Sequence, residues 1–451
     1  MLIRFTVSNF LSFKDETEFN MLTGDVKRHP HHVYKREHID VLRAAAIYGA
    51  NGAGKSNLIK AIIFLQRLVE GEDILRNSPK FGLSEECTDK PSQLEIEVEI
   101  NGIVYAYGVV FDNTRIREEW LYKVNFGKDD EIVFERKTYE NYMHNLKLSS
   151  KYLQTDKEKY YLEFYEETLI NADFTFCSSI QKTKAIEEVN TLFNWFKEDL
   201  IIILPDTKVE SLIRDIYFSK DYSEWFSNML KNLDTGVEKI RIQNVKPNFP
   251  NNEFDDIQEE IQKILVDNPN AFTTFQQGNN YFGAVLENEQ ITYKTLVSEH
   301  KGNNKKPVSF MLSQESDGTQ RLLDFIPIIN QLEKTGTTFI IDEIDRSIHP
   351  TLIKTFLKLL MEMKDSKGQI IFTTHESNLL DLDIFRQDEI WFAEKNQEGA
   401  TQFYPLSEFK IRYDLDIRKG YLNGRFGAIP FLENLEKLNQ NTHAEEEPIS
   451  K

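Results

Sequence analysis

Apolar and polar residues alternate from Leu2 to Phe19 around Asn9-Phe10, a pattern that predicts a strand, a turn and a second strand. An apolar stretch ending at Ile47-Tyr48 runs into a glycine-rich turn and then into an amphipathic segment, Asn57 to Leu68, which predicts strand, turn and helix. Ile96-Glu-Val-Glu-Ile100, Asn101-Gly102 and Ile103 to Phe111 spell a hairpin, because two-residue loops favour Asn-Gly where both residues need positive φ. Glu119 to Phe126 and Glu131 to Arg136 continue the alternation and extend an antiparallel sheet. Phe174 to Lys182 is expected to form a short strand ending at Gln181.

The period changes after Ala185. Leu192, Phe193 and Phe196 recur at helical spacing, as do Leu212, Ile213 and Ile216, and then Ile257, Ile261, Ile264 and Leu265. No segment sustains a heptad, so the region reads as a compact helical insertion and not as a coiled-coil arm. Its aromatics Trp195, Tyr217, Tyr222 and Trp225 are expected to be exposed and to offer a docking surface. Tyr281 to Leu286 and Gln290 to Val297 form a hairpin at its far edge, and the loops Pro247 to Asn252 and Gly302 to Pro307 punctuate it. Buried strands follow at Thr337 to Asp345 and Gln369 to Thr374. These shifts divide the chain into 1–184, a mainly helical 185–300, 301–435, and a polar, disordered tail over 436–451.

Composition narrows the setting. The 451 residues, 40% of them hydrophobic, can fill more than one core. With 54 basic against 73 acidic residues the formal charge is -19, which opposes non-specific adhesion to nucleic acid or anionic membrane. Lys301, Lys305 and Lys306 nevertheless offer a small basic patch. Cys87 and Cys177 make no disulfide framework or metal motif, Met1 to Phe5 reads as a strand and not a signal peptide, and no apolar run reaches membrane-spanning length. A cytoplasmic protein is expected.

The turn after Tyr48 meets the full spacing G-x-x-x-x-G-K-S. Gly49, Ala50, Asn51, Gly52, Ala53 and Gly54 leave backbone N–H groups free to cradle phosphate, Lys55 reaches the β- and γ-phosphates, Ser56 offers its hydroxyl to Mg²⁺, and Asn57 continues the helix whose positive end faces the anion. Thr337 to Asp345 ends in adjacent carboxylates, as a Walker B strand does. Asp342 is placed to hold Mg²⁺ and Glu343 to orient or deprotonate the attacking water. His375 stands at the carboxyl end of another buried strand, where it can bond a γ-phosphate oxygen. Ser316-x-Gly318 opens a helix and makes a second anion site. His29, His31, His32 and His38 have no Cys or carboxylate at ligand spacing and read, with Pro30, as a solvated loop.

With these stretches in this order the chain resembles the ABC-type ATPase heads of the SMC, RecF and OLD-like group. Ser8-Asn9-Phe10 with Ser12-Phe13, Gly49 to Asn57, Ser316-x-Gly318, Asp342-Glu-Ile-Asp345 and Thr373-Thr-His375 match in order and spacing. It is most similar to the bacterial ATPases of phage-defence and abortive-infection loci, the RloA and AbiL types, and Arg418 to Gly427 strengthens that likeness. The resemblance covers 1–182 and 307–435. It implies an α/β P-loop NTPase with an ABC-type head, in which a mixed sheet is joined to an antiparallel β-subdomain and a compact helical insertion.

It further implies ATP and Mg²⁺ as cofactors and a head-to-tail homo-oligomer, dimer or higher. In that arrangement the P-loop of one subunit and Ser316 and Gly318 of the next enclose the nucleotide. Glu343, His375 and Lys55 are then the catalytic residues, and Gln181 joins Ser56 and Asp342 at the metal. Two departures stand out: Thr319 follows the signature glycine, and the insertion is short. No nuclease domain follows His375, so effector chemistry falls to a separately encoded nuclease or toxin. The implied function is an ATP-driven switch in anti-phage defence; the alternatives are a RecF-like repair ATPase that clamps DNA and, more remotely, a transporter motor.

Overall fold

The computed structural model describes residues 1–183, 185–208, 211–246, 253–268, 270–277, 279–411 and 415–429. The expected loop Pro247 to Asn252 and the tail over 436–451 lie outside these residues.

A six-stranded sheet forms the centre. Its order is Leu200–Ile203, Thr338–Ile341, Gln369–Thr373, Ala44–Gly49, Ile390–Lys395 and Thr401–Pro405, parallel except for the last strand. The central strands are apolar throughout because both faces are covered. Side chains alternate between two cores: Ala45, Ile47, Ile340 and Ile371 face one, while Ala44, Ala46, Tyr48, Phe339, Ile341 and Phe372 face the other. The first core is closed by helix Lys55–Glu70, and the second by helices Asp317–Lys334 and Pro350–Glu362.

Beside the first core lies a seven-stranded antiparallel sheet, ordered His144–Leu148, Glu131–Thr138, Ile116–Lys123, Ile103–Phe111, Ser92–Ile100, Leu2–Ser8 and Thr17–Asn20. The expected hairpin closes with Ile100 opposite Ile103, and both turn residues have positive φ, 53° at Asn101 and 84° at Gly102. A five-stranded antiparallel sheet, Val237–Val245, Thr273–Gln277, Asn280–Glu287, Gln290–Lys301 and Pro307–Met311, carries the far lobe.

The segment over 185–300 therefore departs from a mainly helical insertion. Helices Glu187–Asn194, Ser211–Phe218, Lys220–Asn232 and Glu253–Asp267 stand where helical spacing placed them, but four strands of the far sheet share the segment. Leu200–Ile203 leaves the lobe altogether and pairs in parallel with the Walker B strand, so the core sheet re-enters inside the insertion. Phe174 to Lys182 is also not a strand. Thr175 caps helix Phe176–Ile180 by accepting from the Ser178 amide, and Phe176, Cys177 and Ile180 are buried at helical spacing. The lobe aromatics are not free either: Trp195 is buried at 2% exposure, and Tyr217, Tyr222 and Trp225 are half-buried against Phe272, Phe226 and each other. A half-buried aromatic on an amphipathic helix satisfies its own lobe first.

Candidate functional site

Every parallel strand of the core sheet delivers a polar group at its carboxyl end. The strand Ala44–Gly49 passes close to its neighbour Ile390–Lys395, where a side chain on Gly49 would lie 2.4 Å from the Ala393 carbonyl oxygen. Gly54 has φ 106°, and a Cβ there would strike Thr401 Oγ1 at 2.1 Å, so the turn closes only with glycine. Helix Lys55–Glu70 begins at once. Lys55, only 5% exposed, folds back onto its own loop and donates to the Gly49 carbonyl at 2.8 Å and the Ala50 carbonyl at 3.3 Å. Those carbonyls occupy the donors that a phosphate would take. Burial lowers the Lys55 pKa to about 8, against the opposing pull of Asp342, Asp345 and Glu343.

Ser56 donates to Asp342 Oδ1 at 3.1 Å, bringing together the hydroxyl and carboxylate expected at the metal. Thr373 fixes this pair: its hydroxyl donates to the same Asp342 oxygen and accepts the Glu343 amide at 2.8 Å. Glu343 itself sits at φ 52°, a left-handed conformation that non-glycine residues adopt at a cost of about 1–3 kcal/mol. His375 Nδ1 lies 3.4 Å from Lys55 Nζ, and the His375 amide donates to Asp345 at 3.3 Å. Although the ring reaches solvent, desolvation and the Lys55 charge hold its pKa below the usual value.

The structure thus unites Lys55, Ser56, Asp342, Glu343 and His375 with the loop Gly49 to Asn57. It keeps two expected groups apart from them. Ser316 caps helix Asp317–Lys334 by accepting from the Thr319 amide at 3.2 Å, and Gly318 admits the Ser347 carbonyl to 2.8 Å of where its Cβ would be. Ser316, Gly318, Ser347 and His349 line an open hollow of ≈ 530 Å³. Among the described residues no hydrogen bond joins this hollow to the P-loop of the same chain.

Gln181 is not brought to the metal pair. The helix before it docks at the far end of helix Lys55–Glu70, with Thr175 donating to the Leu68 carbonyl and Ser178 3.2 Å from a Cβ built on Gly71. Leu68 lies twelve residues beyond Ser56, about 18 Å along the axis at 1.5 Å per residue. The place beside Asp342 belongs instead to Leu200–Ile203, whose Ile203 carbonyl accepts the Asp342 amide at 2.9 Å and whose next residues lead to Asp206, 3.5 Å from Arg346. An unbroken Leu-Ile-Ile-Ile was the signal for that buried strand. Sequence placed Ser12, Asp345 and Thr373 within motifs without giving them a role, and did not point to Thr401. Ser12 accepts from Asn57 and from Thr401, each at 2.8 Å, and Thr401 contacts the Ala53 carbonyl at 2.8 Å, clamping the loop from outside.

The family model described as AAA domain, putative AbiEii toxin, Type IV TA system matches residues 44–142 and 180–381. The chain belongs to that family. Its fold here is mixed α/β with large sheets. No curated protein matches the chain. Similar solved structures include an Smc head bound to the C-winged helix domain of ScpA, with 13% identity, TM-score 0.40 and coverage of 90% of this chain and 97% of that one. The SMC head domain from Thermotoga maritima has 14% identity and TM-score 0.35, covering 90% and 98%. An Smc head with an extended coiled coil, bound to the C-terminal domain of ScpA derived from Pyrococcus furiosus, has 12% identity and TM-score 0.35, covering 94% and 98%. Among the described residues no helix of this AAA domain is long and apolar enough to cross a membrane.

Proposed function

We propose that the protein is an ATP-hydrolysing switch that assembles head-to-tail and controls a separately encoded effector, a nuclease or toxin, in bacterial anti-phage defence. The observation that carries the ATPase reading is the Ser56–Asp342 contact at 3.1 Å beside Lys55. A hydroxyl and a carboxylate converging next to a phosphate-binding lysine fit magnesium and the β- and γ-phosphates. Bound Mg²⁺ supplies charge neutralisation on the phosphates. Ser56 and Asp342 hold it, Lys55 exchanges its loop carbonyls for phosphate oxygens, and Glu343 orients the water. His375, kept neutral, offers a ring nitrogen toward the γ-phosphate position.

Head-to-tail assembly is supported by the second anion-type hollow at Ser316 and Gly318, which has no use within its own chain. Gly318 couples that hollow to Ser347 on the loop following Glu343, so nucleotide bound to the partner's P-loop and held there would bear on the Glu343 loop of this chain. The defence role draws support from the family description. The effector, nuclease or toxin, would be a protein partner.

Mixing provides the test. Lys55→Ala protein has a broken P-loop and Ser316→Arg protein a broken signature, yet a mixed dimer contains one intact composite site. Two inactive parents should regain part of the ATPase rate on mixing. Continued inactivity after proven subunit exchange would mean that each chain works alone and would remove the head-to-tail reading.

A further inference from the structure

The loop carrying His29, His31 and His32 is not solvated. A short 3-10 turn, Pro30–His32, follows His29, which takes φ 47°. With three residues per turn, such a helix eclipses positions three apart. His29 and His32 are accordingly stacked, with ring centroids 4.9 Å apart and planes within 13°, and His31 meets His32 edge-on at 4.4 Å. One ligating nitrogen from each ring lies within 4.8 Å of the others.

The opposite nitrogen of each ring is fixed by an oxygen from a distant part of the chain. His29 Nε2 bonds the Leu382 carbonyl at 2.9 Å, His31 Nε2 the Met361 carbonyl at 3.1 Å, and His32 Nδ1 both oxygens of Glu389 at 3.0 Å. Metal-bound histidines are oriented in this way, the second ring nitrogen held by a carbonyl or carboxylate so that the first points at the ion.

From this juxtaposition of three imidazoles and their three oxygen partners we propose a binding site for one divalent transition-metal ion of the zinc class. The ligands are His29 Nδ1, His31 Nδ1 and His32 Nε2, with Glu389 positioning His32. Zn–N bonds of about 2.0–2.1 Å set tetrahedral nitrogens about 3.3 Å apart, so the rings must turn to bring these nitrogens onto one ion. His29 and His31 are half-buried and His32 is buried. Arg386 pairs with Asp388 at 2.7 Å, and Arg43 donates to the carbonyls of His31, Met363 and Lys364.

The site ties together pieces that sequence keeps apart: the end of helix Pro350–Glu362, the 381–389 loop and the entry to the P-loop strand. It lies at the amino end of the core sheet, opposite the Walker groups. Its role is therefore that of a staple, separable from nucleotide chemistry.

The test uses the full chain, stripped with a chelator and titrated with Co²⁺ and then Zn²⁺. One equivalent of Co²⁺ should give the visible d–d band of a tetrahedral site, displaced by one equivalent of Zn²⁺. The Lys55→Ala protein should behave identically, which separates this site from the Mg²⁺ site. His29→Ala with His31→Ala should abolish the band, and Glu389→Gln should weaken Zn²⁺ binding by about 10–100-fold. Nucleotide binding serves as the folding control, since none of these residues reaches the P-loop. Absence of a stoichiometric cobalt band in folded wild type, or a band of unchanged strength in the double histidine variant, overturns the proposal.

Discussion

The two ends of the six-stranded core sheet are built from the same strands and treat their polar groups in opposite ways. At the amino end Gln369 and Arg43 are saturated. Gln369 exchanges hydrogen bonds with both backbone groups of Leu2 and donates to Leu42, all at 2.9–3.0 Å, while Arg43 donates to three carbonyls. At the carboxyl end Lys55 is desolvated against mere loop carbonyls, and Glu343 is held in a costly backbone conformation. A fold spends its full bonding capacity where only stability is at stake and leaves groups underused where a ligand is to complete them.

The largest effect expected from breaking this contrast lies at Glu343. Glu343→Gln keeps the shape of the carboxyl end but cannot act on water, so turnover should fall by about 10²–10⁴-fold with ATP affinity retained. Lys55→Ala should do the reverse and weaken ATP binding by about 10–100-fold, through the loss of charge-assisted hydrogen bonds of about 1.5–3 kcal/mol. Steady-state ATPase together with nucleotide titration separates the two; normal turnover in Glu343→Gln would take that residue out of the chemistry.

Next in size is the amino end. Gln369→Ala strips partners from the Leu2 amide, the Leu2 carbonyl and the Leu42 carbonyl, and should cost about 3 kcal/mol of stability. Urea unfolding should show the loss while nucleotide affinity at permissive urea stays unchanged. Equal damage to both properties would mean that the two ends are not separable.

The smallest effect sharpens the comparison by asking whether an uncomfortable charge always marks function. Glu95, on the seven-stranded sheet, has its pKa raised to about 7 by burial first and then by Glu97 and Glu16. The folded state therefore binds more protons than the unfolded chain between pH 4.5 and about 7, and stability falls as pH rises through that window. Glu95→Gln should be more stable than wild type by about 1 kcal/mol at pH 8, after allowance for solvent screening, and no more stable at pH 4. Its ATPase rate should not move. A change in turnover would tie this acidic face to the catalytic end.

What could be read from sequence follows the same division. The groups at the carboxyl end are carried by contiguous motifs, Gly49 to Asn57 and Asp342-Glu343, in which spacing alone dictates geometry. The amino end is assembled from remote pieces: the acceptors that orient His29, His31 and His32 lie 330 to 357 positions away, so a carboxylate at ligand spacing could not be found locally. Gln181 was misplaced for a related reason. Chain order put it after the antiparallel sheet, but only strand pairing reveals that Leu200–Ile203 occupies the edge beside Asp342. Trp195 shows the limit for aromatics, since a helical pattern gives the side of the helix and not whether a neighbour covers it.

The Ser56–Asp342 contact also sets a clock. It bridges 286 positions of sequence, so during synthesis the phosphate loop leaves the ribosome well ahead of its carboxylate. At about 5–20 residues per second that interval is on the order of 14–57 s. Throughout it the nascent chain carries the phosphate loop without the carboxylate that Ser56 meets in the folded protein. A translation product cut short anywhere before Asp342 consequently lacks that contact. The long separation works as a proofreading of length, licensing only chains that extend past Asp342.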